Sequence, residues 1–447
     1  MKHRPPHILL INPWIHDFAA YDVWAKPIGL LSIAAILRQH ECSVSYIDCL
    51  DRFHPKSLKK SDSSARHGRG PYLKTPISKP AGLESILRTY SRYGIPPEWF
   101  LEDLKALPQP DMILVTSMMT YWYPGVFEAI RMVRTVYPEV PIVLGGIYAT
   151  LCHDHAVKYS GADVVVAGPG EKKILELVKQ MTGACQALTF DPMDLDACPY
   201  PAFDLQHTID YIPLVTSRGC PFSCDYCASG VLAPVRMVRN PEKVVEEIVF
   251  WQDNYGVQNF AFYDDALLVN PDQHAIPMFE AIIRTGRTFY FHTPNAVHIR
   301  GVSPRMASLM VRAGMKTLRL GLETSDFEGR EMDRKVGERD FLQAVSHLLA
   351  AGFKKEQVGA YLLAGLPGQS MASVARSIET VKRSGITPVP TYFTPIPHTR
   401  MWEAAVAASP YDLAADPVFT NNEIMPCRSE GFDWKERTRL KAMVKSK

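Results

Sequence analysis

Ser217-Arg-Gly-Cys-Pro-Phe-Ser-Cys-Asp-Tyr-Cys-Ala-Ser-Gly230 sets Cys220, Cys224 and Cys227 in a C-x3-C-x2-C cluster directly after the apolar run Tyr211-Ile-Pro-Leu-Val-Thr216. Three thiolates therefore share one loop leaving a predicted strand. Cysteine thiolates hold iron–sulfur clusters, and four irons held by three cysteines leave one iron open to a substrate or cofactor. Two other readings compete: a structural zinc site completed by a histidine, or buried thiols acting as small hydrophobes. Zinc loops usually pair two C-x2-C knuckles. Here the second knuckle is missing, and the nearest histidines, His207 and His292, are not at knuckle spacing.

Downstream of the cysteines, strand-like runs recur at Asn259–Tyr263, Phe289–His292, Thr317–Leu320, Gly359–Leu363 and Pro390–Phe393. Helical periods near 241–255, 272–285, 304–314, 338–351 and 371–384 alternate with them. With the strand before Cys220 this makes six β/α repeats, too few for a closed eight-stranded barrel and suited to a partial (β/α)6 barrel of the TIM type with its site on the carboxyl-terminal rim. From 401 onward there is no further cysteine cluster, and Trp434–Lys445 reads as a short basic helix covering the open side of the barrel.

Upstream, Thr189–Asp210 is rich in proline and aspartate without helical or strand period, and reads as a linker within 186–210. Before it, apolar runs at His7–Asn12, Val44–Asp48, Met112–Thr116, Pro141–Leu144 and Asp163–Val166 alternate with helical patterns near 27–39, 124–137 and 171–182. Such alternation predicts a doubly wound parallel α/β sheet, flavodoxin-like or Rossmann-like, which takes ligands at the carboxyl ends of its strands. The expected organisation is an α/β domain over 1–185, a linker over 186–210, a barrel over 211–400 and an extension over 401–447. An insertion at about 52–108 begins with a basic stretch, Arg52–Lys79, in which eight Lys/Arg face Asp62 alone. A solvated loop is the expectation there.

The chain has 447 residues, 21% of them charged, and a net charge of +2, so no global field argues for nucleic acid or a membrane surface. The longest nearly continuous apolar run, Leu30–Leu37, has about eight residues against the ~20 needed to span a bilayer. The residues after Met1 read as a strand and not as a cleavable signal. Nine cysteines with only one tight cluster fit a reducing compartment. A cytoplasmic protein is expected.

The cysteine motif, with Tyr226 just before its last member, resembles the signature of radical S-adenosylmethionine (SAM) enzymes. The front half resembles the cobalamin (B12)-binding domain of one branch of that superfamily, the class B methyltransferases. The resemblance is carried by Ser117-Met-Met119 after the third strand, Gly145-Gly146 after the fourth, and the Pro27-Ile-Gly-Leu-Leu31 helix start. It implies that Ser117, Met119, Gly145, Gly146 and Gly168 line a cobalamin site, with Tyr90, Tyr93, Trp99 and Phe100 of the insertion over the cobalamin edge. The D-x-H-x-x-G loop that gives cobalt a histidine in many cobalamin proteins is absent; His16-Asp17 lacks its spacing. In the barrel the resemblance implies a [4Fe-4S] cluster on Cys220, Cys224 and Cys227. It also implies SAM contacts from Tyr226, Asp264, Asp265, Glu323 (ribose), Arg334 or Lys335 (methionine carboxylate) and the Gly365 turn (adenine). For Asp264 or Asp265 a plain turn-capping role is the competing reading.

The resemblance thus implies reductive cleavage of SAM and, with cobalamin, methylation or rearrangement of an unactivated carbon. A small-molecule substrate and an electron donor such as a flavodoxin or ferredoxin are the expected partners, without membrane or nucleic acid. Tyr121, Trp122, Tyr123, His292 and Asn295 are the candidates to read the substrate. Two alternatives stay open: a radical SAM enzyme whose front domain no longer binds cobalamin, and a non-enzymatic iron–sulfur redox protein.

Overall fold

A computed structural model describes residues 4–57, 66–183, 187–330, 332–333, 335–428 and 434–445. The chain divides into two compact units, Met1–Asp210 with Ala415–Phe419, and Tyr211–Ala414 with Thr420–Lys447.

The first unit is built on five parallel strands: β1 (His7–Asn12), β2 (Ser43–Asp48), β3 (Met112–Val115), β4 (Ile142–Leu144) and β5 (Val164–Val165), in the order β2-β1-β3-β4-β5. Successive side chains leave a strand on opposite faces, and the two cores of the unit follow that alternation. Leu9, Ile11, Ile113, Val115, Ile142 and Leu144 pack with the helices Pro97–Ala106 and Tyr123–Val136. Ile8, Leu10, Met112, Leu114 and Val143 pack on the other face with Ile28–Gln39 and Ile174–Thr182. Both faces are covered, which is why these strands read as continuous apolar runs. Strand order reverses between β1 and β3, the switch point at which such sheets open a ligand crevice.

The insertion departs from expectation. Ile15–Asp17, Ser91–Tyr93 and Lys74–Pro76 form a three-stranded antiparallel sheet with Ser91–Tyr93 in the middle. Arg52, expected in a solvated loop, is buried and paired with Asp22 (3.0 Å) and Asp210 (2.6 Å). Tyr90, Tyr93 and Phe100 are buried inside the unit's own packing, Phe100 edge-on to Trp14 at 4.8 Å. Their apolar area is spent on folding. The segment expected as a linker is likewise hydrogen-bonded to the first helix: Ala202 N–H donates to Leu31 (3.0 Å), and Arg38 pairs with Asp204.

The second unit carries six parallel strands in sequential order: β6 (Ile212–Leu214), β7 (Asn259–Phe262), β8 (Tyr290–His292), β9 (Met315–Glu323), β10 (Val358–Ala364) and β11 (Thr387–Tyr392). Helices Pro241–Tyr255, Ala275–Arg284, Pro304–Ala313, Glu338–Ala350 and Met371–Arg383 connect them, as expected of a partial (β/α)6 barrel. Strand β11 starts three residues before the expected Pro390. It contains Pro388 and Pro390, and it pairs on one side only, with β10. Residues two apart point their N–H the same way, so both missing donors fall on the unpaired edge, where proline is tolerated. The helix Trp434–Lys445 lies against this edge, with the Arg437 guanidinium 4.1 Å from the Tyr392 ring centroid. Among the described residues no helix is long and apolar enough to cross a membrane.

Candidate functional site

The cysteine loop leaves the carboxyl end of β6 and is held by its neighbours on the barrel rim. Asp264, just beyond β7, is buried. It accepts hydrogen bonds from Thr216 Oγ1 (2.7 Å), Ser217 Oγ (2.7 Å) and the Thr216 amide (3.3 Å). Burial pushes its carboxyl pKa up, against the pull of these donors. Asp265 accepts from the Gly219 amide (2.9 Å) and Ser229 Oγ (3.2 Å), so it ties both ends of the loop. These contacts run to the cysteine loop, 36 to 48 residues earlier in the chain, and not to the turn that follows the Asp-Asp pair. Gly219 has φ +86°, and a Cβ there would lie 2.9 Å from the carbonyl oxygens of Ala233 and Val235. Only glycine fits this passage. Arg236 closes it by donating to the carbonyls of Gly219 (3.0 Å) and Ala266 (3.2 Å).

The other side of the loop meets the segment after β9. Asp225 donates its amide to Met332 (3.0 Å) and accepts at its carbonyl from Met401 (2.9 Å). Tyr226 donates to Asp333 (3.4 Å) and accepts from Lys335 Nζ (3.1 Å). Glu323, the last residue of β9, has φ +61°, a left-handed conformation that costs of order 1 kcal/mol and is concentrated at functional sites. The register of β9 against β10 shifts between Gly321 and Glu323. The backbone thereby turns the carboxylate toward Arg330 (3.3 Å) and Lys335 (3.7 Å). Arg330 also grips Asp333 through two nitrogens and donates to the Thr324 carbonyl (3.1 Å). Two carboxylates and two cations make a buried, charge-balanced group. That balance is what makes the burial tolerable, since an unpaired charge would cost several kcal/mol.

Burial raises the thiol pKa values of Cys220 and Cys224, with Cys227 adding to both, and Lys335 opposes the rise. Burial also raises Tyr226, reinforced by Glu323 and Cys224, so its phenol stays protonated. Lys335 is held protonated: Glu323, Cys224 and Asp333 outweigh the downward pull of burial. The structure thus brings Cys220, Cys224, Cys227, Tyr226, Asp264, Asp265 and Glu323 to one rim. Gly365 follows β10, its amide donating to Gln369 Oε1 (2.8 Å). Arg334 lies outside the described residues. Arg330, Asp333, Arg236 and His298 escaped the sequence reading. Arg330 and Asp333 stand among the charged residues between Asp326 and Lys335, a pattern that by itself assigns neither a role.

In the first unit, Ser117 lies past β3 and Gly145-Gly146 past β4. Ser117 Oγ donates to the Gly145 carbonyl (2.7 Å), and the Ile147 amide donates to the Ser117 carbonyl (2.8 Å). Gly146 has φ +98°, and a Cβ would fall 2.2 Å from the Ser117 carbonyl oxygen. Thr150 links the third loop, donating to the Gly146 carbonyl (2.8 Å) and accepting from the Gly168 amide (3.0 Å). Four of the five expected cobalamin residues are therefore one hydrogen-bonded set at the strand ends, with half-buried Met119 two residues beyond Ser117. His16 is elsewhere: its Nε2 is 2.8 Å from Glu128, which also binds Arg92.

Several substrate-reading candidates are committed to structure. His292 is fully buried between Thr317 (3.2 Å) and Asn259 (3.4 Å). Within the first unit, Trp122 donates to Asp17 (2.7 Å), Tyr121 is buried, and Tyr123 donates to Asp416 (2.9 Å). Asn295 donates to the Tyr263 carbonyl (2.9 Å) and keeps an exposed side.

Comparison with known proteins accords with both halves. Residues 214–381 match the Radical SAM superfamily profile, and residues 79–178 match the B12 binding domain. An uncharacterised methyltransferase of Pyrococcus horikoshii is 25% identical over 327 residues, which is 67% of this chain and 70% of that protein. The cytidylyl-2-hydroxyethylphosphonate methyltransferase of Streptomyces wedmorensis is 21% identical across 96% of this chain and 83% of its own length. The radical SAM methyltransferase TsrM of Kitasatospora setae, solved with cobalamin and a [4Fe-4S] cluster, superposes with a TM-score of 0.65. It is 16% identical, and the match covers 91% of this chain and 76% of that one. The chain belongs to the radical SAM superfamily, in the branch whose members carry a B12-binding domain.

Proposed function

We propose that this chain is a cobalamin-dependent radical SAM methyltransferase acting on a small molecule. The observation that carries the reading is the rim of the second unit, where a loop of three thiols is braced from both sides and faces a buried carboxylate in a left-handed conformation, Glu323. When bound, a [4Fe-4S] cluster supplies the electron that reductively cleaves SAM, and cobalamin supplies a methyl carrier. The donor set suits the cluster: three cysteines on one loop, with Cys227 exposed and giving a path of entry.

Cys220, Cys224 and Cys227 would hold the cluster as thiolates. Glu323 would accept from the ribose hydroxyls of SAM, with Arg330 and Lys335 fixing the carboxylate's direction. Tyr226, protonated and hydrogen-bonded, would wall the site. Asp265 would meet the methionine ammonium with the lone pairs its loop contacts leave over, the Gly365 turn would take the adenine, and Arg334 the methionine carboxylate. Asp264 serves chiefly as the brace of the loop. The Ser117–Gly145–Gly146–Gly168 set, with Met119, would let backbone approach the cobalamin tail. A flavodoxin or ferredoxin would deliver the electron, and the protein would work in the cytoplasm.

The test is anaerobic reconstitution with iron, sulfide and hydroxocobalamin, then desalting, metal analysis and a SAM-cleavage assay. The expected result is about four irons and one cobalt per chain, with 5′-deoxyadenosine formed from SAM. Iron and cleavage without cobalt would leave a radical SAM enzyme with an idle front domain. A Cys220/Cys224/Cys227→Ala triple variant that kept its iron would overturn the reading.

A further inference from the structure

We propose that Met425, in the carboxyl-terminal extension, is a positioning residue for SAM: it holds the Gly365 turn in the shape that receives the adenine. The proposal rests on the reading that this turn is the adenine subsite.

Gly365 follows β10 with φ +87°, a left-handed conformation open chiefly to glycine. Two side chains hold it there. Gln369 ties the turn to itself: its Oε1 accepts from the amides of Gly365 (2.8 Å) and Leu366 (3.2 Å), and its Nε2 donates to the Leu363 carbonyl (3.0 Å). Met425 comes from 60 residues further along the chain. A Cβ built on Gly365 would lie 2.9 Å from Met425 Cε and 3.5 Å from its Sδ. Among the described residues, leaving out Gly365 and its two chain neighbours, no other atom comes within 4 Å of that point. The thioether is therefore what backs this side of the glycine, and no bulkier residue fits between them.

Met425 is itself fixed. It is 1% exposed and has φ +53°, so a non-glycine residue is kept in a left-handed conformation that a glycine would adopt without strain. A glycine there would leave the Gly365 turn without its backing. The Met425 amide donates to the Asn422 carbonyl (3.2 Å), and its carbonyl accepts from the Arg428 amide (3.0 Å). Arg437, from the last helix, donates to the Glu423 carbonyl (2.9 Å) and pairs with the Glu423 carboxylate. The extension is thus anchored on both flanks of Met425. An unbranched thioether is suited to filling the irregular gap that is left. A ligand binds more weakly in proportion to the fraction of time its site spends out of the receptive shape. Removing the thioether lowers the receptive fraction of the turn. The cysteine loop is braced by other residues, Asp264, Asp265 and Tyr226, so the cluster should be retained.

The experiment compares Met425→Gly, Met425→Leu and Gly365→Ala with the wild-type full-length protein, each reconstituted anaerobically and its iron counted. Met425→Gly removes the thioether while relieving the left-handed backbone, so it separates the contact from the strain. Met425→Leu restores apolar bulk at the same place. The SAM dissociation constant is measured by anaerobic equilibrium dialysis, and hydrogen exchange of the peptide Leu363–Gln369 is followed by mass spectrometry without SAM. Met425→Gly is expected to weaken SAM binding about fivefold or more and to speed exchange in that peptide, with iron content and exchange in Ser217–Gly230 unchanged. Met425→Leu should recover most of both. Wild-type affinity in iron-replete Met425→Gly would overturn the proposal. So would lost iron or faster exchange throughout the second unit, since Met425 would then support the barrel at large and not the turn. Gly365→Ala tests the underlying reading separately. If that variant, folded and iron-replete, weakens SAM while Met425→Gly does not, the proposal alone falls. If it binds SAM as the wild type does, the adenine reading falls with it.

Discussion

Asp264 shows how one buried side chain can decide the state of a loop it does not belong to. Replacing it with alanine strands the buried Ser217 hydroxyl and Thr216 amide and leaves the Thr216 hydroxyl with His274 (2.8 Å) alone. Each unsatisfied buried group costs about 1–3 kcal/mol. Asp264→Ala is expected to lower the urea midpoint and the iron retained after reconstitution, and Asp264→Asn, which keeps one acceptor, to fall between it and wild type. Gly146→Ala is a second test at this scale: the Cβ would meet the Ser117 carbonyl oxygen at 2.2 Å from a left-handed backbone. A loss of more than about 2 kcal/mol in denaturant unfolding is expected, together with lost cobalt retention. The cysteines were legible because three rare side chains at fixed spacing are a local signal. His298 was not, because its partner Cys220 is 78 residues away and only the side-by-side pairing of β6, β7 and β8 brings them together.

Among the elements, the strand Ile15–Asp17, the strand Ser91–Tyr93 and the helix Tyr123–Val136 are joined by one carboxylate. Burial works to raise the Glu128 pKa. His16 and Arg92 outweigh it and take the group from the ordinary 4.5 down to about 2. A depressed folded-state pKa stabilises the fold above the unfolded value and loses that contribution as pH falls toward the folded one. The shift corresponds to about 3 kcal/mol, so stability should drop between about pH 4.5 and pH 2. In Glu128→Gln that part of the acid-unfolding curve should flatten, as read by circular dichroism against pH. The β/α alternation was readable because strands buried on both faces and amphipathic helices have distinct periods. The three-stranded antiparallel sheet was not, because three-residue strands are too short to show any period. At the barrel edge, proline hid the true start of β11. Truncation after Arg428 removes the helix against that edge, and increased self-association by light scattering is the expected result.

At the scale of the whole molecule, the first unit is not contiguous in sequence. Ala415–Phe419 belongs to it, with Asp416 accepting from Tyr123 (2.9 Å) and Phe419 lying against Gly82. Composition gave no hint of this, since five residues, Ala-Asp-Pro-Val-Phe, are too few to show a period or a composition of their own. Asp416→Ala is expected to cost the first unit about 1–2 kcal/mol, seen as faster proteolysis within Met1–Asp210 while the second unit is unchanged.

The same five residues put a clock on biosynthesis. A ribosome that has finished Asp210 must add a further 209 residues (419 − 210) before Phe419 exists. At about 5–20 residues per second this delay is about 10–40 s. Throughout it the nascent first unit waits with Tyr123 and the Gly82 surface uncovered, a window in which a chaperone, or the cofactor itself, can reach it before the final strap is laid.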